Sequence, residues 1–207
     1  MALSKIQPAS MDLTANYAFT GTNSVAGLEY AEKKLSTVTA SSSATLDFTS
    51  NIDSTYNIYK FRFVNIHCET NDTHLQFQAN TAGGSGFNET ITSTVFEARH
   101  KEDGSSTSLA YNTGYDQAQG TSFQTIAGGV GNAADASVSG ELFLFDPSST
   151  TFVKHFMGVN QISNHSDTSA QEFYAGHCNV TAAIDGVQFS TSSGTFETGR
   201  IALYGIK

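Results

Sequence analysis

The residue pattern predicts an all-β chain: a two-sheet antiparallel β-sandwich of jelly-roll type with an extended N-terminal arm. Three observations predict it. Charged residues make up only 14% of the 207, while Ser and Thr together supply about a quarter. Phe 15 and Tyr 8 outweigh the helix-forming charged residues, and there is no Trp. Short runs of period-two alternation recur between clusters of Gly, Ser, Asn and Asp. Alternation places one set of side chains in a core and the other in water, and the clusters supply turns.

Residues 1–32 are set apart as an arm. Leu3, Ile6, Met11, Leu13, Tyr17 and Phe19 follow no fixed period, and Pro8 breaks any helix that begins before it. Such a segment cannot bury its own apolar groups, so Leu3, Ile6, Leu13, Tyr17 and Phe19 are candidate assembly residues that dock on a partner. Leu28 to Leu35 is the one weak helical stretch. Residues 33–207 form the sandwich domain. Lys34 to Ala40 and Ala44 to Phe48 open it. Tyr56 to Ile66 is the clearest strand, with Tyr59, Phe61 and Phe63 on one face and Lys60 and Arg62 on the other. Leu75 to Ala79 and Thr94 to Arg99 follow, with the Gly-rich loop Ala82 to Phe87 between them read as a hairpin loop. Residues 101–122 are polar and weakly patterned. Phe123 to Ala127 ends at Gly128-Gly129. Ser137 to Phe145 and Phe152 to Val159 form a hairpin about the turn Asp146-Pro147-Ser148-Ser149, in which Pro presets φ. Glu172 to Val180, Asp185 to Ser190 and Phe196 to Lys207 complete about ten strands.

The formal net charge is −9 and the ten Lys and Arg are scattered. Without a basic stripe to neutralise phosphates, nucleic-acid binding is not expected, and anionic lipid surfaces repel the chain. No apolar run reaches the ~20 residues of a membrane helix, so no membrane insertion is expected. The first ten residues lack a basic segment followed by an apolar one, so no secretory leader is expected and Cys68 and Cys178 read as reduced thiols.

The chemistry-bearing residues form no catalytic pattern. His67-Cys68 and His177-Cys178 would make a zinc ligand set only if a local distortion brought adjacent strand residues to one face. His74, His100, His155 and His165 are isolated. No Gly-x-Ser-x-Gly elbow supports a nucleophilic serine. Glu97, Glu141 and Glu172 lie on strands, but nothing in the sequence links them as an acid–base pair. Asn71-Asp72-Thr73 and Glu102-Asp103 lack the spacing of a calcium loop. The four Asn-x-Ser/Thr sequons, at Asn71, Asn88, Asn164 and Asn179, are what so Ser/Thr-rich a chain contains by chance. No catalytic residue, cofactor or metal site is therefore expected. Tyr111 and Tyr115, with Phe123, flank the long polar stretch and are the candidate ligand-facing loop, suited to stacking on a host surface glycan.

The two ends of the chain carry a resemblance. Ile184-Asp185-Gly186-Val187-Gln188-Phe189-Ser190, then Ser193-Gly194-Thr195-Phe196 through Gly199-Arg200-Ile201-Ala202-Leu203-Tyr204-Gly205-Ile206-Lys207, resembles the closing strand pair of many phage virion proteins, which end in a Gly-x-x-x-Leu-Tyr-Gly-hydrophobic motif. Ala2 to Gln7, Asn16 to Thr22 and Ser54 to Lys60 are similar to segments of structural proteins of tailed marine bacteriophages. The likeness covers both ends and little of the middle. It implies a capsid decoration, fibre or tail-tip protein, a homo-oligomer with a trimer favoured, located in the virion after assembly in the host cytoplasm. It also implies an arm tethered to capsid or tail proteins, and it brings no catalytic residues. The rival reading is a carbohydrate- or receptor-binding module of a tail fibre.

Overall fold

The structure, a computed structural model, describes residues 31–207. The assembly residues Leu3, Ile6, Leu13, Tyr17 and Phe19 lie outside the described residues. Residues 31–207 form one compact unit. It is all-β, and every strand pairing is antiparallel.

Thirteen strands follow in order: β1 (Lys33–Thr39), β2 (Thr45–Phe48), β3 (Ile58–Cys68), β4 (Thr73–Thr81), β5 (Ile91–Lys101), β6 (Thr107–Tyr111), β7 (Ala118–Gly120), β8 (Gln124–Val130), β9 (Val138–Phe145), β10 (Lys154–Asn164), β11 (Thr168–Cys178), β12 (Ile184–Thr191) and β13 (Phe196–Ile206). Hydrogen bonding links them in the order β1-β13-β3-β9-β10-β8-β4-β12-β2. Strand β11 also pairs with β10, β5 with β11, and both β6 and β7 with β5. This large sheet is nearly closed into a barrel. At the seam β10 meets β8 through one residue pair, Asn164↔Val130.

The core explains the curl. Phe61 and Phe63 of β3 each lie 5.3 Å, ring centre to ring centre, from Phe189 of β12. Phe48 of β2, at the far end of the strand order, is 5.2 Å from Phe61 and 6.0 Å from Phe189. Phe77 of β4 lies 5.0 Å from Phe156 of β10. Most of these contacts are edge-to-face, the geometry that ring quadrupoles favour. A sheet whose inner face is this aromatic must bend until its distant strands touch.

Most strands form where alternation predicts them. In β3, Tyr59, Phe61 and Phe63 are buried and Arg62 is exposed. A bulge then shifts the register between Phe63 and Ile66. Asn65 takes a left-handed φ of 49°, and Gly199 of β13 sits against it with φ 109°. A Cβ on Gly199 would lie 2.4 Å from the Asn65 carbonyl oxygen, so only glycine fits there. The expected β9–β10 hairpin forms, with a register that runs from Phe156↔Leu144 to Ile162↔Val138.

Three expectations are corrected. Lys33 and Lys34 begin an extended strand, so the helical tendency of Leu28 to Leu35 does not carry into it; pairing with β13 overrides propensity. A bulge beside Leu35 lets it pack on the core together with Val38. The polar stretch 101–122 contains two strands, β6 and β7, both held by β5. Gly83 to Gly86 is not a hairpin loop, because the strands it joins, β4 and β5, are not neighbours in the sheet.

Candidate assembly interface

The outer face of the sheet carries an apolar band. Register places Val159 of β10 beside Phe173 of β11, Phe173 beside Phe96 of β5, and Phe96 beside Tyr111 of β6. The next row runs Phe143 of β9, Met157 of β10, Ala175 of β11 and Thr94 of β5. Leu109 of β6 stands opposite Ala98. Phe96 is 44% exposed, Met157 51%, Tyr111 52% and Leu109 74%. The Phe96 and Phe173 rings stack at 4.8 Å, 8° from parallel. From Met157 to Tyr111 the two rows carry no charge. An exposed apolar surface that is continuous over several strands marks an interaction face, whereas scattered apolar residues do not.

The same band is bounded on one side by cations. Lys60 lies over the Phe143 and Tyr204 rings, 5.8 and 5.5 Å from their centres, and Arg62 is 5.1 Å from Tyr204. Both cations pair with Glu32, Arg62 at 3.4 Å. Beside the band a groove of about 400 Å³ is lined by Phe145, Met157, His155 and His177. The two imidazoles are cross-strand partners with ring centres 6.0 Å apart.

The band ends at a bare strand edge. All five residues of β6, Thr-Ser-Leu-Ala-Tyr, are exposed, and among the described strands β6 pairs only with β5. It has no charge and no Pro. The end strands differ: β1 begins with Lys33 and Lys34, and β2 is four residues long and carries Asp47. Lysines and shortness are how sheets discourage strand addition, and β6 has neither Lys nor Pro.

The two loop tyrosines part company. Tyr111 faces outward in the band and its hydroxyl donates to Asp116 Oδ2 at 2.6 Å, which raises its pKa. Tyr115 turns inward, half-buried, with its ring 5.1 Å from His74. Burial raises its pKa. Only Tyr111 of the pair is placed to meet a ligand ring.

Each His-Cys pair divides between the two faces. Cys68 and Cys178 are free thiols in the core, each pushed up to about 12 by burial. His67 instead reaches Glu197 at 3.2 Å and the Ala136 carbonyl oxygen at 2.7 Å, and His177 lies in the groove. Among the described residues no group of three His, Cys, Asp or Glu is arranged to hold a metal. Asp72 pairs with His165 at 3.1 Å, and Asp103 with Lys101 at 3.8 Å.

The glutamates show what sequence reasoning missed. Glu97 and Glu172 are directly opposed on β5 and β11, whereas Glu141 faces outward beside Val159 and Arg62. The band itself was legible in one signal. Val95-Phe96, Leu142-Phe143-Leu144-Phe145 and Phe173-Tyr174 are adjacent apolar residues within strands, and adjacency forces one of each pair outward.

No protein-family model matches this chain, and no curated protein matches it.

Proposed function

We propose that this chain is a non-enzymatic structural subunit of a phage virion that assembles with its own copies through the outer face of β10, β11, β5 and β6. The observation that carries the assembly reading is the uncharged band from Met157 to Tyr111, continuous with the bare β6 edge. The virion setting rests on the likeness of the chain's two ends to phage structural proteins. In this reading the curled sheet is a two-sheet sandwich of jelly-roll type, the copies form a trimer, and residues 1–32 tether it to capsid or tail proteins through Leu3, Ile6, Leu13, Tyr17 and Phe19.

The mechanism is burial of apolar surface, worth about 25 cal/mol per Å² removed from water. A carboxylate placed in the middle of such a contact would be stranded without a partner. Light scattering on the wild-type chain should therefore give the mass of a stable oligomer. Phe96→Glu with Met157→Glu should give a folded monomer, and the oligomer should survive removal of residues 1–32. A wild-type monomer, or an oligomer indifferent to the double substitution, refutes the assembly reading.

A second reading has its own observation. The exposed Phe96 ring, stacked on Phe173, and the Tyr111 ring beside it offer aromatic surface against which a sugar ring could pack. Saturable binding of a host surface glycan, abolished by Tyr111→Ala, would favour a carbohydrate-binding module. Absence of binding leaves assembly as the role of the band.

A further inference from the structure

Beneath the 112–117 loop lies a buried polar cluster that the assembly face does not use. Glu172 of β11 is fully buried. Its Oε1 accepts the Gly128 amide of β8 at 3.0 Å, and its Oε2 has no partner. Asn160 of β10, directly opposite Glu172, is also fully buried. Its Nδ2 donates to the Ile126 carbonyl at 2.8 Å, which fixes the amide orientation and leaves Oδ1 as an acceptor without a donor. A buried carboxylate oxygen without a donor is costly, so Glu172 Oε2 is favoured when it carries a proton of its own.

The charges around Glu172 do not balance when it is ionised. From β5, Glu97 faces it directly and Arg99 lies nearby. Arg99 already donates to Glu97 Oε2 at 2.9 Å, while its own Nε is buried and unpartnered. One guanidinium thus stands between two carboxylates. The other ionisable groups are phenols and an imidazole: Tyr174 on β11 itself, Tyr115 from the loop, and His74 of β4 behind Tyr115. Strand β8 contributes only backbone and uncharged side chains.

The loop connects this cluster to the surface. Tyr115 packs on Gly128, where a Cβ would lie 2.2 Å from its ring. Its carbonyl accepts Gln124 Nε2 at 2.9 Å. Asp116, next in sequence, holds the Tyr111 hydroxyl at the β6 edge.

We propose that Glu172 is a proton-binding switch for the assembly face. Neutral, it stands opposite Glu97 without repulsion and the loop stays packed over it. Ionised, it draws Arg99 from Glu97 and loosens the loop that anchors Tyr111. Burial, aided by Glu97 and opposed by the Gly128 hydrogen bond and by Arg99, pushes the Glu172 carboxyl up to about 7, so the switch works near neutrality. The link to assembly rests on the proposed function; the proton site and the loop do not.

Hydrogen–deuterium exchange on the full chain, corrected for intrinsic rates, tests it at about pH 5.5 and about pH 8.5, on either side of the transition. Exchange of 107–120 should rise about tenfold in the wild type, the ratio that one pH unit of coupled pKa shift produces. It should stay flat in Glu172→Gln, which is neutral at both pH values. A flat wild type, or the same rise in Glu172→Gln, overturns the proposal. Infrared titration of the unmodified chain gives an independent reading. A protonated-carboxyl band lost near pH 7 supports the proposal, and complete loss below about pH 5, as for ordinary carboxyls, overturns it. Light scattering at the same two pH values should show dissociation only in the wild type on the alkaline side. If the chain is monomeric throughout while the loop responds as stated, the assembly reading fails and the proton site stands.

Discussion

Phe189→Ala should cost this chain a large share of its stability. Phe189 is fully buried on β12, and four rings surround it: Phe61 and Phe63 at 5.3 Å, Phe48 at 6.0 Å and Phe77 at 6.4 Å. These rings come from β2, β3 and β4, so one side chain ties strands that are far apart in the sheet order. Truncating a buried Phe costs about 3–5 kcal/mol through lost transfer energy and the cavity left behind. Edge-to-face pairs add about 0.5–1.5 kcal/mol each beyond area, which places the expected loss near about 5 kcal/mol. Domains have only about 5–15 kcal/mol in total. The chain has no Trp, so urea unfolding is followed by tyrosine fluorescence and far-ultraviolet dichroism. With a slope of about 2 kcal/mol per molar urea, the midpoint should fall by about 2 M or more. Phe152→Ala, at a side chain 68% exposed, is the control and should move stability by less than about 0.5 kcal/mol. A loss below about 1 kcal/mol for Phe189→Ala would refute the picture of a shell closed by its aromatic core.

Three further outcomes follow from buried polar and thiol groups. Glu172 has a folded pKa of about 7 against an ordinary 4.5, so it favours folding fully below about pH 4.5 and that contribution is lost as pH rises through 7. At about 1.4 kcal/mol per pH unit the loss is about 3 kcal/mol, so Glu172→Gln should match the wild type near pH 4 and exceed it by up to that amount above pH 8 in urea melts. Lys154 is buried and its ammonium donates to the carbonyls of Phe152 at 2.7 Å, Thr181 at 3.2 Å and Val180 at 3.3 Å. Lys154→Met strands those acceptors and should cost at least about 1.5–3 kcal/mol by the same assay. Cys68 and Cys178, buried and with pKa values near 12, should be silent to a thiol reagent in the native chain and both react in denaturant; native labelling of either would contradict their burial.

Much of the fold was legible because β3 and the β9–β10 hairpin carry clean local signals. Tyr59, Phe61 and Phe63 announce a face by spacing alone, and Asp146-Pro147 announces a turn. Strand β6 was not legible, since Thr107 to Tyr111 is exposed throughout and is a strand only because β5 offers it an edge. The Glu97–Glu172 pair was hidden for a related reason. It depends on β5 and β11 being neighbours, a fact of topology that no local pattern encodes. Tyr111 and Tyr115 looked equivalent from sequence; Gly128, by having no side chain, is what lets one of them turn inward.

The seam between β10 and β8 changes how the shell should respond to strain. Elsewhere each strand is laced to its neighbour by a ladder of backbone bonds, but here one residue pair does that work. Cohesion across the gap passes instead to side chains: Phe77 against Phe156, and the Asn160 amide reaching the Ile126 carbonyl. Backbone ladders are directional and fail abruptly, whereas ring contacts slide. The shell is therefore anisotropic: laddered strands make it stiff, and this seam, like the open ends at β1 and β2, is a line along which it can widen or narrow while its strands keep their register.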